Sequence, residues 1–163
     1  MLLAGIALAC GASGPAPREV TLSAESVLDP IAALLAHRPF VGADVAKALG
    51  ATLAPDAASN PYFAVFRSTA PTPRYRSIEV REPTAASEGK GGLVLVELGD
   101  ECLRTEQVGD RFGARLEAPP SMPTAHQPAD SPRYDRYPQP WGEVRLGFRP
   151  SDGCLVSIVL DAS

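Results

Sequence analysis

Two stretches of the chain follow the same pattern, and this repetition constrains the fold more than any other feature. DVAKALGATL at Asp44–Leu53 and QVGDRFGARL at Gln107–Leu116 both read Val-x-x-x-(Leu/Phe)-Gly-Ala-x-Leu. In each stretch the two apolar residues stand four apart, on one side of a helix, and the glycine is typical of a helix end. We therefore expect one structural unit to be used twice. The alternative is a chance recurrence of helices that end in Gly-Ala.

Strand-like runs follow each of the two stretches. Three runs follow the first stretch, at Tyr62–Ser68, Tyr75–Arg81 and Gly92–Leu98. Two runs follow the second, at Glu143–Phe148 and Cys154–Leu160. Their apolar residues and the turn residues between them predict antiparallel strands. The sequence thus predicts an α+β fold of two similar halves, each a short helix followed by antiparallel strands, in one small sheet-based domain.

The length of 163 residues suits one domain, or two small halves that share a core. A further short helix is predicted ahead of the first half, with Asp29 as its cap and Pro30 in its first turn. The chain then divides, in order, into a signal segment at 1–9, a flexible tether at 10–22 and a single α+β domain at 23–163, with half-repeats at about 40–101 and 102–163.

The first ten residues, MLLAGIALAC, resemble the end of a bacterial lipoprotein signal, with Ala7-Leu8-Ala9-Cys10 as the lipobox. They are apolar and uncharged, and the GASGPAPRE that follows is typical of a flexible tether. The resemblance implies that the thiol of Cys10 receives a lipid and becomes the first residue after cleavage. An ordinary secretory signal cut near Ala9 or Ala12 and a buried strand are the alternatives.

The lipoprotein resemblance also implies a location. It places the protein in the bacterial cell envelope, anchored by its lipid and facing the periplasm. Gly11, rather than Asp, follows Cys10, which by the same resemblance favours the outer membrane. No apolar run reaches the roughly 20 residues that span a bilayer.

Two cysteines remain once Cys10 is set aside. An even pair in an exported protein predicts a disulfide, here between Cys102 and Cys154. Two buried free thiols are the alternative if the protein is not exported. His37 and His126 are the only histidines, so no metal site is expected.

The patterns of common catalytic sites are absent. The sequence holds no nucleophile elbow, zinc-protease helix, calcium loop or P-loop. Glu97, Asp100 and Glu101 cluster after a strand, where a solvated strand end is the favoured interpretation over an acid pair. The net charge of -4 argues against nucleic acid as a partner. We therefore expect neither an enzyme nor a cofactor.

One segment has the composition of a protein-binding surface. Tyr, Trp and Arg dominate the energetics of interfaces, and prolines stiffen a loop that presents them. The segment SPRYDRYPQPWGE at Ser131–Glu143 combines these types within a Pro-rich loop predicted at about Glu117–Pro140. The alternative is that its aromatic residues fold inward as anchors, Trp141 above all. The candidate partner-binding residues are Arg133, Tyr134, Arg136, Tyr137 and Trp141.

The duplicated plan carries a second resemblance. A helix that ends in glycine, followed by a small antiparallel sheet, twice in an exported protein, resembles the tandem repeats of the β-lactamase-inhibitor-protein fold. It is also similar to the outer-membrane assembly lipoproteins of the SmpA/OmlA type. Those families often have Gly-Pro after the helix, where this chain has Ala51 and Ala114. The residues that carry the resemblance, over about Phe40–Ala162, are Val45, Leu49, Gly50, Val108, Phe112 and Gly113.

Three functions remain as hypotheses. The first is an exported lipoprotein that binds another protein, most concretely an inhibitor or immunity protein that blocks an envelope enzyme or toxin. The second is a structural accessory lipoprotein of an envelope assembly or secretion complex. The third is an envelope hydrolase whose site involves His126 or the acidic residues near Glu97.

Overall fold

The fold was obtained as a computed structural model, which describes residues 23–108, 111–116, 128 and 130–162. It is an α+β domain with a single antiparallel sheet of seven strands, so the predicted fold class is confirmed. Short 3-10 segments occur at Leu34–Ala36 and Ala85–Ser87. The helices and strands, in chain order, are α1 (Ala24–Ala33), α2 (Gly42–Leu49), β1 (Leu53–Pro55), β2 (Phe63–Ser68), β3 (Tyr75–Pro83), β4 (Leu93–Leu98), α3 (Thr105–Val108), β5 (Arg133–Gln139), β6 (Gly142–Phe148) and β7 (Leu155–Asp161).

The strands lie in the order β1-β2-β3-β4-β7-β6-β5. Strands β1 to β4 therefore form a meander on one side of the sheet, and β5 to β7 form one on the other. The last strands of the two meanders, β4 and β7, pair in the middle, with Leu95 opposite Val159. The first meander has four strands after a helix of eight residues, whereas the second has three after a helix of four. The similarity of the two halves thus stays a prediction.

The two faces of the sheet differ because side chains alternate along each strand. On one face, which we call the helix face, Val80, Val94, Leu160 and Val144 form a row across the four central strands, and all are fully buried. The buried side chains of α1, α2 and α3 belong to the same core cluster. We call the opposite side of the sheet the open face. None of the described helices contributes a buried residue to it.

Helix α1 begins earlier than predicted. Ser23 caps it by accepting the N–H of Ser26, so Asp29 and Pro30 lie inside the helix rather than at its start. The prediction placed the start at the Asp-Pro pair because that is a common opening, but Ser23 is an equally good cap one turn and a half before it. Val27 is the first residue of this helix that the core buries.

Helix α2 ends as the repeated pattern predicts. Val45 and Leu49 are both buried, and Gly50 follows with φ of 63°, the left-handed conformation that glycine adopts at helix ends. At the other end, the N–H of Gly42 donates to the carboxylate of Glu82 on β3 at 2.8 Å. A negative charge at a helix start is stabilising, and here it also ties the helix to the sheet.

Helix α3 begins at Thr105 and is described only as far as Val108. Phe112 lies in a turn and is buried against the core, and Gly113 has φ of 89°. Val108 and Phe112, the two apolar residues that stand four apart in the second stretch, are thus both buried, whereas Leu116 is 48% exposed.

The predicted Pro-rich loop is wrong in its last part, because Arg133–Gln139 forms strand β5 at the edge of the sheet. The N–H of Leu116 donates to the carbonyl of Arg136, so the main-chain groups of Arg136 point away from β6. Those of Pro138, two residues on, point the same way. Proline is tolerated there because its missing N–H faces the outside of the sheet. Residues 117–127 and 129 lie outside the described part of the chain.

The predicted disulfide is confirmed. Cys102, between β4 and α3, is bonded to Cys154, which directly precedes β7, with a Cα–Cα distance of 4.8 Å. The adjoining turn is well anchored, since Asp152 accepts the N–H of Cys154 at 3.0 Å and pairs with Arg149 at 2.8 Å. That backbone hydrogen bond, together with the nearby Arg149, holds the pKa of the Asp152 carboxyl below its usual range.

Three other predictions fall outside the described residues: the signal segment at 1–9, the tether at 10–22 with its lipidation site Cys10, and any role of His126. Among the helices that the structure describes, none is long and apolar enough to cross a membrane.

Candidate protein-binding surface

The centre of the open face is apolar. Leu93 and Leu95 project from β4, and Val159 projects from the neighbouring β7, opposite Leu95. The two leucines are half-buried although none of the described helices packs on this side. These three residues form what we call the apolar strip.

A cluster of charged side chains lies on one side of the apolar strip. Glu79 on β3 stands between Arg67 and Arg81, and its two carboxylate oxygens each lie 2.8 Å from one of the guanidinium groups. The carboxylate side chain is only 12% exposed, whereas both arginines are about half exposed. The three side chains are therefore held in place, with the arginines outermost.

A second charged cluster lies on the other side of the strip. Arg145 on β6 pairs with Asp161 on β7 at 2.7 Å, and Arg136 on β5 pairs with Glu143 on β6 at 2.7 Å. Arg145 Nε also lies 3.3 Å from Glu143 Oε1, but without the geometry of a hydrogen bond, so this buried donor has no acceptor in the described part of the chain. Arg136 is the most exposed of these groups.

The arrangement has the anatomy of a protein interface, with an apolar centre and a charged border. Exposed ion pairs contribute about 0–1 kcal/mol each to stability, so their main effect here is to fix the positions of the charges. Seven strands at about 4.8 Å spacing give the face a width of about 29 Å, and about six residues per strand give a height of about 20 Å. The resulting area of about 600 Å² approaches the roughly 800 Å² that each partner buries in a standard complex.

The five candidate residues from the sequence do not form one surface. Tyr134 and Arg136 lie on the open face, whereas Arg133 and Tyr137 lie on the opposite side of the same strand. Arg133 is exposed there, so it and Arg136 point in different directions. Trp141 lies beyond the end of β5, in the turn that leads into β6. Only Tyr134 and Arg136 therefore extend the open face.

The structure corrects the assignment of Tyr137 as a partner-binding residue. Its side chain is 4% exposed and packs edge-on against Phe112, with ring centroids 6.2 Å apart. Burial, and secondarily the charge of Asp135, raises the pKa of the Tyr137 hydroxyl, while Arg115 acts in the opposite direction. Tyr137 anchors β5 to the core, the inward role that had been the alternative for aromatic residues of this segment.

The side chain of Tyr134 packs against the neighbouring strand β6. Position 147 on β6 is glycine, and a Cβ there would come within 2.8 Å of the Tyr134 ring and 2.4 Å of Ser157 Oγ. The ring thus fills the space over Gly147, and the hydroxyl groups of Tyr134 and Ser157 are 3.2 Å apart. The tyrosine remains 42% exposed, so it presents an aromatic surface at the border of the open face.

Trp141 is half-buried at the end of the sheet. It packs edge-on against Phe40, with centroids 5.8 Å apart, and the guanidinium carbon of Arg38 lies 5.0 Å from the centre of its ring. No sequence pattern connects Arg38 with Trp141, because the two residues are about a hundred positions apart and Arg38 belongs to no recognisable motif.

Two of the acidic residues considered for catalysis interact with different partners. Glu97 accepts the hydroxyl of Ser77 at 2.8 Å, and Asp100 pairs with Arg76 at 3.0 Å. Within the described ranges, no three His, Cys, Asp or Glu side chains come together in a way that would hold a metal ion.

Comparisons with protein-family models, with curated proteins and with solved structures each returned no match for this chain.

Proposed function

We propose that the protein is an exported lipoprotein of the bacterial envelope that acts by binding another protein through the open face of its sheet. In its most concrete form it is an inhibitor or immunity protein that blocks an envelope enzyme or toxin. The observation that carries the proposal is the open face itself, where the apolar strip lies between two clusters of fixed charges.

Two features support this reading. A surface whose side chains are already held in place loses little conformational entropy on binding, and ion pairs hold the side chains around Glu79 and Arg145. The disulfide between Cys102 and Cys154 supports export, because such bonds persist in oxidising compartments such as the periplasm.

The partner-binding proposal is tested by cross-linking and then by the introduction of a charge at the centre of the open face. A photoreactive residue at position 95, at the centre of the open face, is expected to capture a partner in envelope extract that the same residue at position 48, exposed on α2, does not capture. Leu95→Glu should then weaken binding of the identified partner by about tenfold or more, because it puts a charge at the centre of the interface. Ala48→Glu is the matched control and should bind as the wild type does.

Equal binding by Leu95→Glu and Ala48→Glu would refute the open face as the interface. The identified partner separates the two protein-binding functions. An inhibitor or immunity protein should abolish its partner's activity at a one-to-one ratio, and Leu95→Glu should not. An accessory subunit should instead co-purify with a multiprotein complex that remains active.

The lipid anchor has an independent test. If Cys10 carries the lipid, Cys10→Ser should move the protein from the membrane fraction to the soluble fraction, while Cys102 and Cys154 remain bonded. Continued sedimentation of Cys10→Ser with the membranes would show that the anchor lies elsewhere. Separation of inner from outer membranes by density then tests the expected outer-membrane location.

A further inference from the structure

A second surface lies at the end of the sheet where β4 begins and β7 ends. Lys90 stands in the segment between β3 and β4, on a ridge that separates two clefts. The cleft on one side has a volume of about 410 Å³ and is lined by Arg38, Pro39 and Trp141. We call it the Trp141 cleft. The other cleft, of about 550 Å³, is lined by Tyr62, among others.

The ridge is held in place by main-chain hydrogen bonds. The N–H of Gly91 donates to the carbonyl of Ala162 at 2.7 Å, and the carbonyl of Gly91 accepts the N–H of Phe40 at 2.8 Å. A side chain at position 91 would come within 2.6 Å of the Ala162 methyl group, so glycine is required for this close approach. Main-chain hydrogen bonds therefore connect the ridge both to the end of β7 and to the segment before α2, and these three parts line the cleft.

The two cations of this cleft form no ion pair with any described carboxylate. Most arginines in the described ranges are paired with carboxylates, whereas no ion pair is found there for Arg38 or Lys90. The ring of Trp141 orients the guanidinium of Arg38, which leaves its N–H groups available to an acceptor. Glu88 lines the cleft on the far side of Lys90, so the positive charge is greater on the Trp141 side.

We propose that the Trp141 cleft binds an acidic segment of the partner protein, with a carboxylate between Arg38 and Lys90 and an apolar side chain against Pro39 and Trp141. Charge complementarity carries this inference, because two cations that have no carboxylate partner among the described residues converge on one cleft, in a chain whose net charge is -4. The inference rests on the proposed protein-binding function, but it concerns a different surface.

Trp141 is the only tryptophan of the chain, so its fluorescence reports on this cleft alone. The full-length Cys10→Ser protein is titrated with the blocked peptide acetyl-Gly-Leu-Glu-Leu-Gly-amide. The matched neutral probe has Gln in place of Glu. We expect a saturable change in fluorescence with the Glu peptide and weaker binding, or none, with the Gln peptide.

Substitutions of Arg38 and Lys90 test whether these two cations bind the carboxylate. Arg38→Ala and Lys90→Ala should each lower the affinity for the Glu peptide by about threefold to fivefold. This is the range expected for the loss of one exposed charge contact. Lys90→Arg should bind as the wild type does, because the charge is retained. Lys47→Ala removes the same charge from the exposed side of α2 and should change the affinity less than twofold.

Equal binding of the Glu and Gln peptides would overturn the proposal, as would equal effects of Lys90→Ala and Lys47→Ala. Either result would leave the open face unaffected, since that surface is tested by Leu95→Glu with the intact partner. Conversely, a Leu95→Glu protein that still binds the Glu peptide would show that the two surfaces act independently.

Discussion

Removal of the Cys102–Cys154 disulfide is expected to lower the free energy of unfolding by about 4 kcal/mol. The bond joins residues 52 positions apart. In the chain-entropy model, closing a loop of that length lowers the conformational entropy of the unfolded chain by about 14 cal/mol/K. At 25 °C this corresponds to a free energy of about 4 kcal/mol. Domains of this size are typically stable by only about 5–15 kcal/mol, so the loss would be a large part of the total.

The measurement is urea denaturation of the Cys102→Ala/Cys154→Ala variant beside the oxidised protein, both carrying Cys10→Ser so that no third thiol exchanges with the pair. We expect a lower midpoint and a larger dependence on urea, because the unfolded variant is less compact and exposes more surface. A reducing agent should destabilise the oxidised protein and have no effect on the variant.

A loss of less than about 1 kcal/mol would refute this reasoning. It would mean that the disulfide hardly changes the conformational entropy of the unfolded chain. The cause would then have to be residual structure that already brings the start of β7 near the end of β4 in the unfolded state.

Three further predictions concern the helix face, the open face and the helix caps. Gly147→Ala should lower the free energy of unfolding by about 1–2 kcal/mol, because its Cβ would displace the Tyr134 ring, and Ser157→Ala should restore part of the loss in urea denaturation. Burial raises the pKa of the Tyr75 hydroxyl to about 12 from 10.0, so stability from this group is complete below pH 10 and is lost as the pH rises towards 12. Tyr75→Phe should flatten the decline of the urea midpoint over that interval. Glu82→Ala should lower the free energy of unfolding by about 1 kcal/mol, since it removes the acceptor at the start of α2, whereas Glu88→Ala, at an exposed position, should change it little.

Much of the fold follows from local patterns. The alternation in Tyr75–Arg81 and the largely apolar run in Gly92–Leu98 identify β3 and β4 to within two residues, because those strands are buried at least on one side. Gly50 ends α2 as expected, since few other residues adopt its φ. The pairing of the two distant cysteines followed from their even number.

Strand β5 could not be predicted in this way. Its sequence RYDRYPQ contains a proline and three charged residues, which is typical of a loop, and only its position at the edge of the sheet makes that composition acceptable. The two proposed binding surfaces could not be predicted from the sequence for a related reason. The open face is composed of single residues from separate strands, such as Glu79 and Arg145, and the Trp141 cleft of residues that only the topology brings together.

The pairing of β4 with β7 has a consequence for how the domain forms. Glu97 and Ser157 lie opposite each other although sixty positions separate them, which makes this central contact slow to find in an open chain. Glu97, however, is five residues before Cys102, and Ser157 is three residues after Cys154. Once those two sulfurs are joined, the loop that must close to pair β4 with β7 is only a few residues long. The entropic cost of closing it is then lower by about 2 kcal/mol. Oxidation would thereby convert the longest-range strand pairing among the described strands into a local one, and assembly of the sheet could proceed outward from its centre.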